Sequence, residues 1–240
     1  MKKIGIITGR ELNAYFDSLM AYVLLILFLG FTGFFTWIYG SDIFYIKQAS
    51  LQVFFSVAYW TLFFIIPALT MHLLSEENRS GTLELLLTKP LSDWQVVVGK
   101  FLAPLVLIII ALALTLPYYI TVARLGNIDN GQVLSGYLVL ILFSAMYISL
   151  GLFTSSFTKN AIVSYLITVF IGIFFQIIFQ MIGSNLTGAL GHWLNYLSMN
   201  AHFDSMARGL IDSRDILYFL LFITLGLVLS ESMLIKKRKA

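Results

Sequence analysis

Apolar residues run in long stretches, and the few ionisable residues fall between them. No Asp, Glu, Lys or Arg intervenes from Asp17 to Asp42, from Lys47 to Glu76, from Lys100 to Arg124, or from Asp129 to Lys159. Between Lys159 and Asp204 the first part, Ala161 to Ile182, is continuously apolar, and Ile216 to Ile235 is broken only by Glu231 near its end. About 20 apolar residues suffice to cross a bilayer as a helix, and a charge at mid-bilayer costs a few kcal/mol. The pattern therefore predicts an all-α membrane protein, one transmembrane domain over residues 1–240. Its six spans fall near residues 19–39, 53–74, 100–123, 134–156, 161–182 and 216–235. The first run, Leu19 to Tyr39, exceeds the 7–15 apolar residues typical of a secretory signal and has no small-x-small site after it, so it reads as an anchored helix.

Composition agrees. Hydrophobic residues make up 59% and charged residues 11% of the 240. A soluble domain carries about 25% charge on its surface. The 21 Phe, 12 Tyr and 4 Trp exclude a disordered chain, and the absence of cysteine excludes disulfides and thiolate metal sites. The net charge of +3 matters less than its sidedness. With both termini in the cytoplasm, 11 of the 15 basic residues lie inside and only Lys47, Arg124, Arg208 and Arg214 lie outside, as the positive-inside rule favours.

The polar segments differ in character. Over residues 3–18 a helical period puts Ile4, Ile7, Leu12, Tyr15 and Phe16 on one side and Lys3, Arg10, Asn13 and Asp17 on the other, with Ile6 and Glu11 breaking the pattern. That predicts an interface helix. Two connections are long, residues 75–99 inside and 183–215 outside, and long loops concentrate function. In the inside loop Gly81 marks a break, a short leucine-rich helix over residues 82–89 ends at Pro90, and Ser92 with Gln95 has capping-box spacing. Leu83, Leu85, Leu86 and Leu87 either meet a partner, lie on the membrane, or pack on the chain's own helix ends. In the outside loop Leu190, Trp193, Leu194 and Leu197, then Phe203, Met206, Ala207 and Leu210, repeat at i, i+3, i+4, i+7. Two short helices joined near Asn200 fit either a re-entrant gate or a lid on the headgroups.

Candidate chemistry is sparse. His72, His192 and His202 are scattered without metal-ligand spacing, and the latter two read as interfacial polar groups. Gly99-Lys100 lacks the other residues of a phosphate-binding loop, so neither a nucleotide cofactor nor enzyme activity is expected. Asn185-Leu186-Thr187 is a formal glycosylation sequon, without meaning in a bacterial host. The near charge-free interior argues against proton or sodium coupling. Gln176 and Gln180, at i, i+4 in span five, either pack against a neighbouring span or line a polar route. Pro67, Pro104 and Pro117 fall within spans and predict bends.

The run Glu76-Glu77-Asn78-Arg79-Ser80-Gly81-Thr82-Leu83-Glu84-Leu85-Leu86-Leu87-Thr88-Lys89-Pro90, followed by Gly99-Lys100, resembles the cytoplasmic signature of ABC-2 type permeases. The whole chain, including Arg10-Glu11-Leu12-Asn13 and the stretch from Phe203 to Asp215, is similar to the gliding-motility-associated ABC permeases of Bacteroidetes. The resemblance implies a half-transporter of the bacterial inner membrane, working with a separate ATP-hydrolysing subunit and a second permease subunit. It implies that Glu76, Glu77, Arg79, Gly81, Thr82, Glu84, Leu85, Leu86 and Pro90 contact the ATPase. Asn78 and His72 stand where a basic residue is common in that family. A structural anchor of a motility or secretion machine is the alternative function.

Overall fold

The computed structural model describes residues 2–39, 49–82, 91–186 and 188–239, and among these it is helical throughout, with no strand. The helices are α1 (Lys2–Asp17), α2 (Met20–Trp37), α3 (Gln52–Thr70), α4 (Ser75–Ser80), α5 (Asp93–Ala113) and α6 (Leu116–Leu125). There follow α7 (Asn130–Phe157), α8 (Ala161–Ile173), a π-helical turn (Phe174–Ile178), α9 (Phe179–Asn185), α10 (Ala189–Leu197), α11 (Met199–Ala207) and α12 (Ser213–Lys239). Among the described residues six stretches are long and apolar enough to cross a membrane: α2, α3 with α4, α5 with α6, α7, α8 through α9, and α12.

The helix α7 is the central post. Its most apolar window is 72% buried, against 22% for the α8–α9 span and 28% for α2. It packs against α3, α5, α8 and α12. Most hydroxyls inside the bundle return to their own helix, as Thr32 to the Phe28 carbonyl, Thr70 to Ile66 and Ser144 to Leu140. That satisfies them where lipid offers no partner. An exception joins two helices: Thr154 of α7 lies 2.6 Å from Thr168 and 3.1 Å from Ser164 of α8.

The third span departs from the expected 100–123. The Ser92 side chain accepts from the Gln95 backbone and the Gln95 side chain accepts from Ser92, so the capping box starts α5 at Asp93, and Lys100 lies two turns inside it. The helix thus runs about two turns beyond the expected start, and Lys100 has its own counter-ions there. The bend expected from Pro117 is a break at Leu114–Thr115, after which Pro117 sits in the first turn of α6. Proline fits there because a first-turn N–H has no helical acceptor.

Candidate functional site

Both chain termini, the α4 segment, the start of α5 and the end of α7 meet at one end of the bundle. Lys100 is at its centre, 1% exposed. Its ammonium donates to the Leu73 carbonyl at 2.6 Å, Glu77 Oε1 at 2.8 Å and Glu11 Oε1 at 3.3 Å. Three donors thus meet three acceptors from three segments. Arg10 pairs with Glu11 and stands 3.9 Å from Glu77, so two cations balance two carboxylates. The Glu11 hydrogen bond raises the Arg10 guanidinium above its ordinary value. Glu77 Oε2 is buried with no partner among the described residues.

The interface helix rests on the same spot. A Cβ on Gly99 would lie 2.7 Å from Ile7 Cγ2, and the Thr8 hydroxyl donates to the Gly99 carbonyl at 3.2 Å. Gly99-Lys100 is therefore a seat for α1. Glu11, which breaks the apolar stripe of that helix, faces Lys100, whereas Ile6, the other exception, is 71% exposed.

A second junction closes around Asn78. Its amide donates to the carbonyls of Ser156 at 3.0 Å, Thr158 at 3.1 Å and Ser155 at 3.3 Å, acceptors that the end of α7 leaves without a helical partner. Lys237 donates to Asn78 Oδ1 and to the Ser156 carbonyl, each at 2.6 Å. The cation missing at position 78 is thus supplied by α12, where it also complements the negative end of the α7 dipole. Arg238 pairs with Asp93 at 3.2 Å, tying α12 to the first turn of α5.

Of the signature residues, Glu77 turns inward, while Glu76, Arg79, Gly81 and Thr82 are exposed. Gly81 ends α4 with φ 72°, the left-handed conformation anticipated for a glycine break. Glu84, Leu85, Leu86 and Pro90 lie outside the described residues, as does the expected helix over residues 83–89.

At the opposite end, α10 folds back against α9, and α11 follows after a corner at Ser198, two residues before the expected Asn200, and packs on α7 and α12. His202 corrects the interfacial reading: it is buried, with Nδ1 2.6 Å from Asp215 Oδ1 and Nε2 2.7 Å from the Tyr196 carbonyl, and its ring stacks on Tyr218. The carboxylate partner is 13 residues away, on α12, so no spacing in the sequence disclosed it. His192 is exposed. Phe203 stacks on Tyr59 of α3 at 4.0 Å. Burial pushes the Asp204 carboxyl up, partly offset by Arg208. Gln176 lies in the π-helical turn and Gln180 in α9. Gln180 accepts from Asn200 of α11 at 2.8 Å, while Gln176 is buried beside the Tyr59 hydroxyl with neither amide atom hydrogen-bonded among the described residues.

A bundle of six apolar helices around a buried post, ion-paired at one end and capped by two short helices at the other, defines a multi-pass α-helical membrane protein. The family model described as ABC-2 family transporter protein matches residues 11–223. The chain belongs to that family, whose members are membrane components and not themselves catalytic. No curated protein matches the sequence.

Proposed function

We propose that the chain is the permease subunit of an ATP-binding cassette exporter in the bacterial inner membrane, with both termini cytoplasmic. A separate ATPase subunit hydrolyses ATP, and a second permease subunit, identical or different, completes the pathway. The observation that carries this reading is the two-sided placement of the E-E-x-R-x-G-T element. Glu77 is locked to Lys100, which also holds Glu11 of α1, while Glu76, Arg79, Gly81 and Thr82 are left open to solvent. An element held fast on one side and exposed on the other is suited to pass a push from a partner into the bundle.

In this account the ATPase contacts Glu76, Arg79, Gly81, Thr82, Glu84, Leu85, Leu86 and Pro90, and Glu77 positions the element from behind. Closure of the ATPase tilts α3 against α5 through the Lys100 cluster. The external segment of α10 and α11 is the outer gate, and Gln176 beside Tyr59 belongs to the polar lining of the route, with Gln180 holding α11. A role in gliding motility is the narrower form of the proposal, resting on sequence resemblance. Transport and pure anchoring part company in reconstituted vesicles, where a transporter's ATPase partner is stimulated by a lipid or solute.

Reversing Glu84 to Lys together with Leu86→Asp is expected to abolish co-purification with the ATPase subunit while membrane insertion stays intact. Unchanged co-purification would sink the assignment of this loop.

A further inference from the structure

Where α1 turns into α2, the chain bends at Leu19, whose backbone is left-handed (φ 60°, ψ −4°) although it is not glycine. The bend opens a groove of 580 Å³ between this corner and the turn after α3, within the size range of small-ligand sites. Its lining is graded. Toward α1 it is polar, with Glu11, Ser18, His72 and Glu76. Toward the span it is apolar, with Leu19, Met20, Val23 and Leu73. The helix α1 lies outside the six spans and α2 opens the first of them, so the grading follows the step from headgroups to acyl chains.

The charges select among headgroups. Among the described residues no lysine or arginine lines the groove; buried Lys100 and half-exposed Arg10 are both engaged with Glu11 and Glu77. An anionic headgroup would face the Glu76 carboxylate with no lining cation to offset it. The Glu76 carboxylate is 71% exposed, and its one partner among the described residues is His72 Nδ1 at 3.5 Å. It therefore keeps acceptor capacity for a ligand ammonium, while the His72 ring offers a donor for a phosphate oxygen. A quaternary ammonium brings no N–H, whereas a primary ammonium brings three.

We propose that this groove binds one phospholipid with a zwitterionic, primary-ammonium headgroup of the ethanolamine type. The ammonium rests on Glu76, the phosphate faces His72, and an acyl chain lies along Met20 and Val23. The lipid fills the wedge beneath the bend and fixes the angle between α1 and the first span. Because α1 also rests on Gly99 and Lys100, the bound lipid holds the interface helix from its other side.

Native mass spectrometry of the full chain, purified without any ATPase subunit and given equimolar dioleoyl phosphatidylethanolamine, phosphatidylcholine and phosphatidylglycerol, tests this. Phosphatidylethanolamine is expected to be retained several-fold more than either competitor. Glu76→Gln, at an exposed position that leaves the fold intact, is expected to bring its retention down to that of phosphatidylcholine. Val23→Trp, which fills the apolar end, is expected to reduce retention of all three. Equal or greater retention of phosphatidylglycerol overturns the proposal, as does a preference unmoved by Glu76→Gln. Displacement of the lipid by a second copy of the chain overturns it too, since the groove would then be a protein interface. Glu76 is also a proposed ATPase contact, and because no ATPase subunit is present here the measurement reads lipid alone and leaves that assignment to its own experiment.

Discussion

Lys100→Met is expected to destabilise the protein more than any other single charge removal. The ammonium is fully buried and supplies one hydrogen bond to each of two carboxylates and a carbonyl. Without it Glu11 and Glu77 remain close to each other with only Arg10 between them. Breaking a buried ion pair from one side costs about 3–5 kcal/mol, because the remaining charge is left uncompensated. Thermal unfolding in detergent, followed by tryptophan fluorescence, should show a large drop in midpoint. Hydrogen exchange should show α1 losing protection before the spans do. Adding Glu11→Gln and Glu77→Gln to Lys100→Met is expected to recover much of the loss, since the stranded charges are then gone. An unchanged midpoint in the single variant, or no recovery in the triple, would contradict the role given to the cluster.

Gly226→Leu is expected to be as severe by a different route. On α12 a Cβ at this position would lie 2.5 Å from Ser149 Oγ and 2.9 Å from the Ser149 backbone carbon of α7. The two helices meet there nearly backbone to backbone, the close approach that small residues permit between spans. The hydroxyl could turn away, but the α7 backbone cannot without moving the central post. Overpacking of this kind typically costs 1–3 kcal/mol, and about the upper end or beyond is expected where backbone is the obstacle. The yield of monodisperse protein on size exclusion should collapse for Gly226→Leu. It should hold for Gly30→Leu on α2, where a Cβ meets nothing within 4 Å.

Much of this architecture was legible in the chain because lipid imposes so plain a rule. Uncharged runs between ionisable residues marked six helices, and the Ser92–Gln95 box and the Gly81 break were readable from local chemistry alone. The rule is silent about the partners that a charge brings with it. Lys100 looked like a span boundary, yet its counter-ions Glu11 and Glu77 come from positions 89 and 23 residues away, which no local pattern connects. The clue was Glu11 itself, a carboxylate on the wrong side of an amphipathic helix. His202 and Asp215 escaped for the same reason, as did the exchange that puts Asn78 under the α7 carbonyls and brings the cation from Lys237. Long-range polar pairing depends on which helices are neighbours, and the neighbours are chosen by apolar packing around α7.

Because the chain has no cysteine, a single introduced thiol reports one position without background. The most direct test of the central proposal places that thiol at Arg79 or Thr82, on the exposed side of the anchored element. Control thiols are placed at Asp129 or Asn185, toward the opposite end of the bundle, and a short bifunctional reagent is applied to membranes containing the ATPase subunit. Cross-links to the ATPase from Arg79→Cys and Thr82→Cys, and none from Asp129→Cys or Asn185→Cys, are the predicted result. Absence of cross-links at the first pair, or equal cross-linking from both ends, would contradict it.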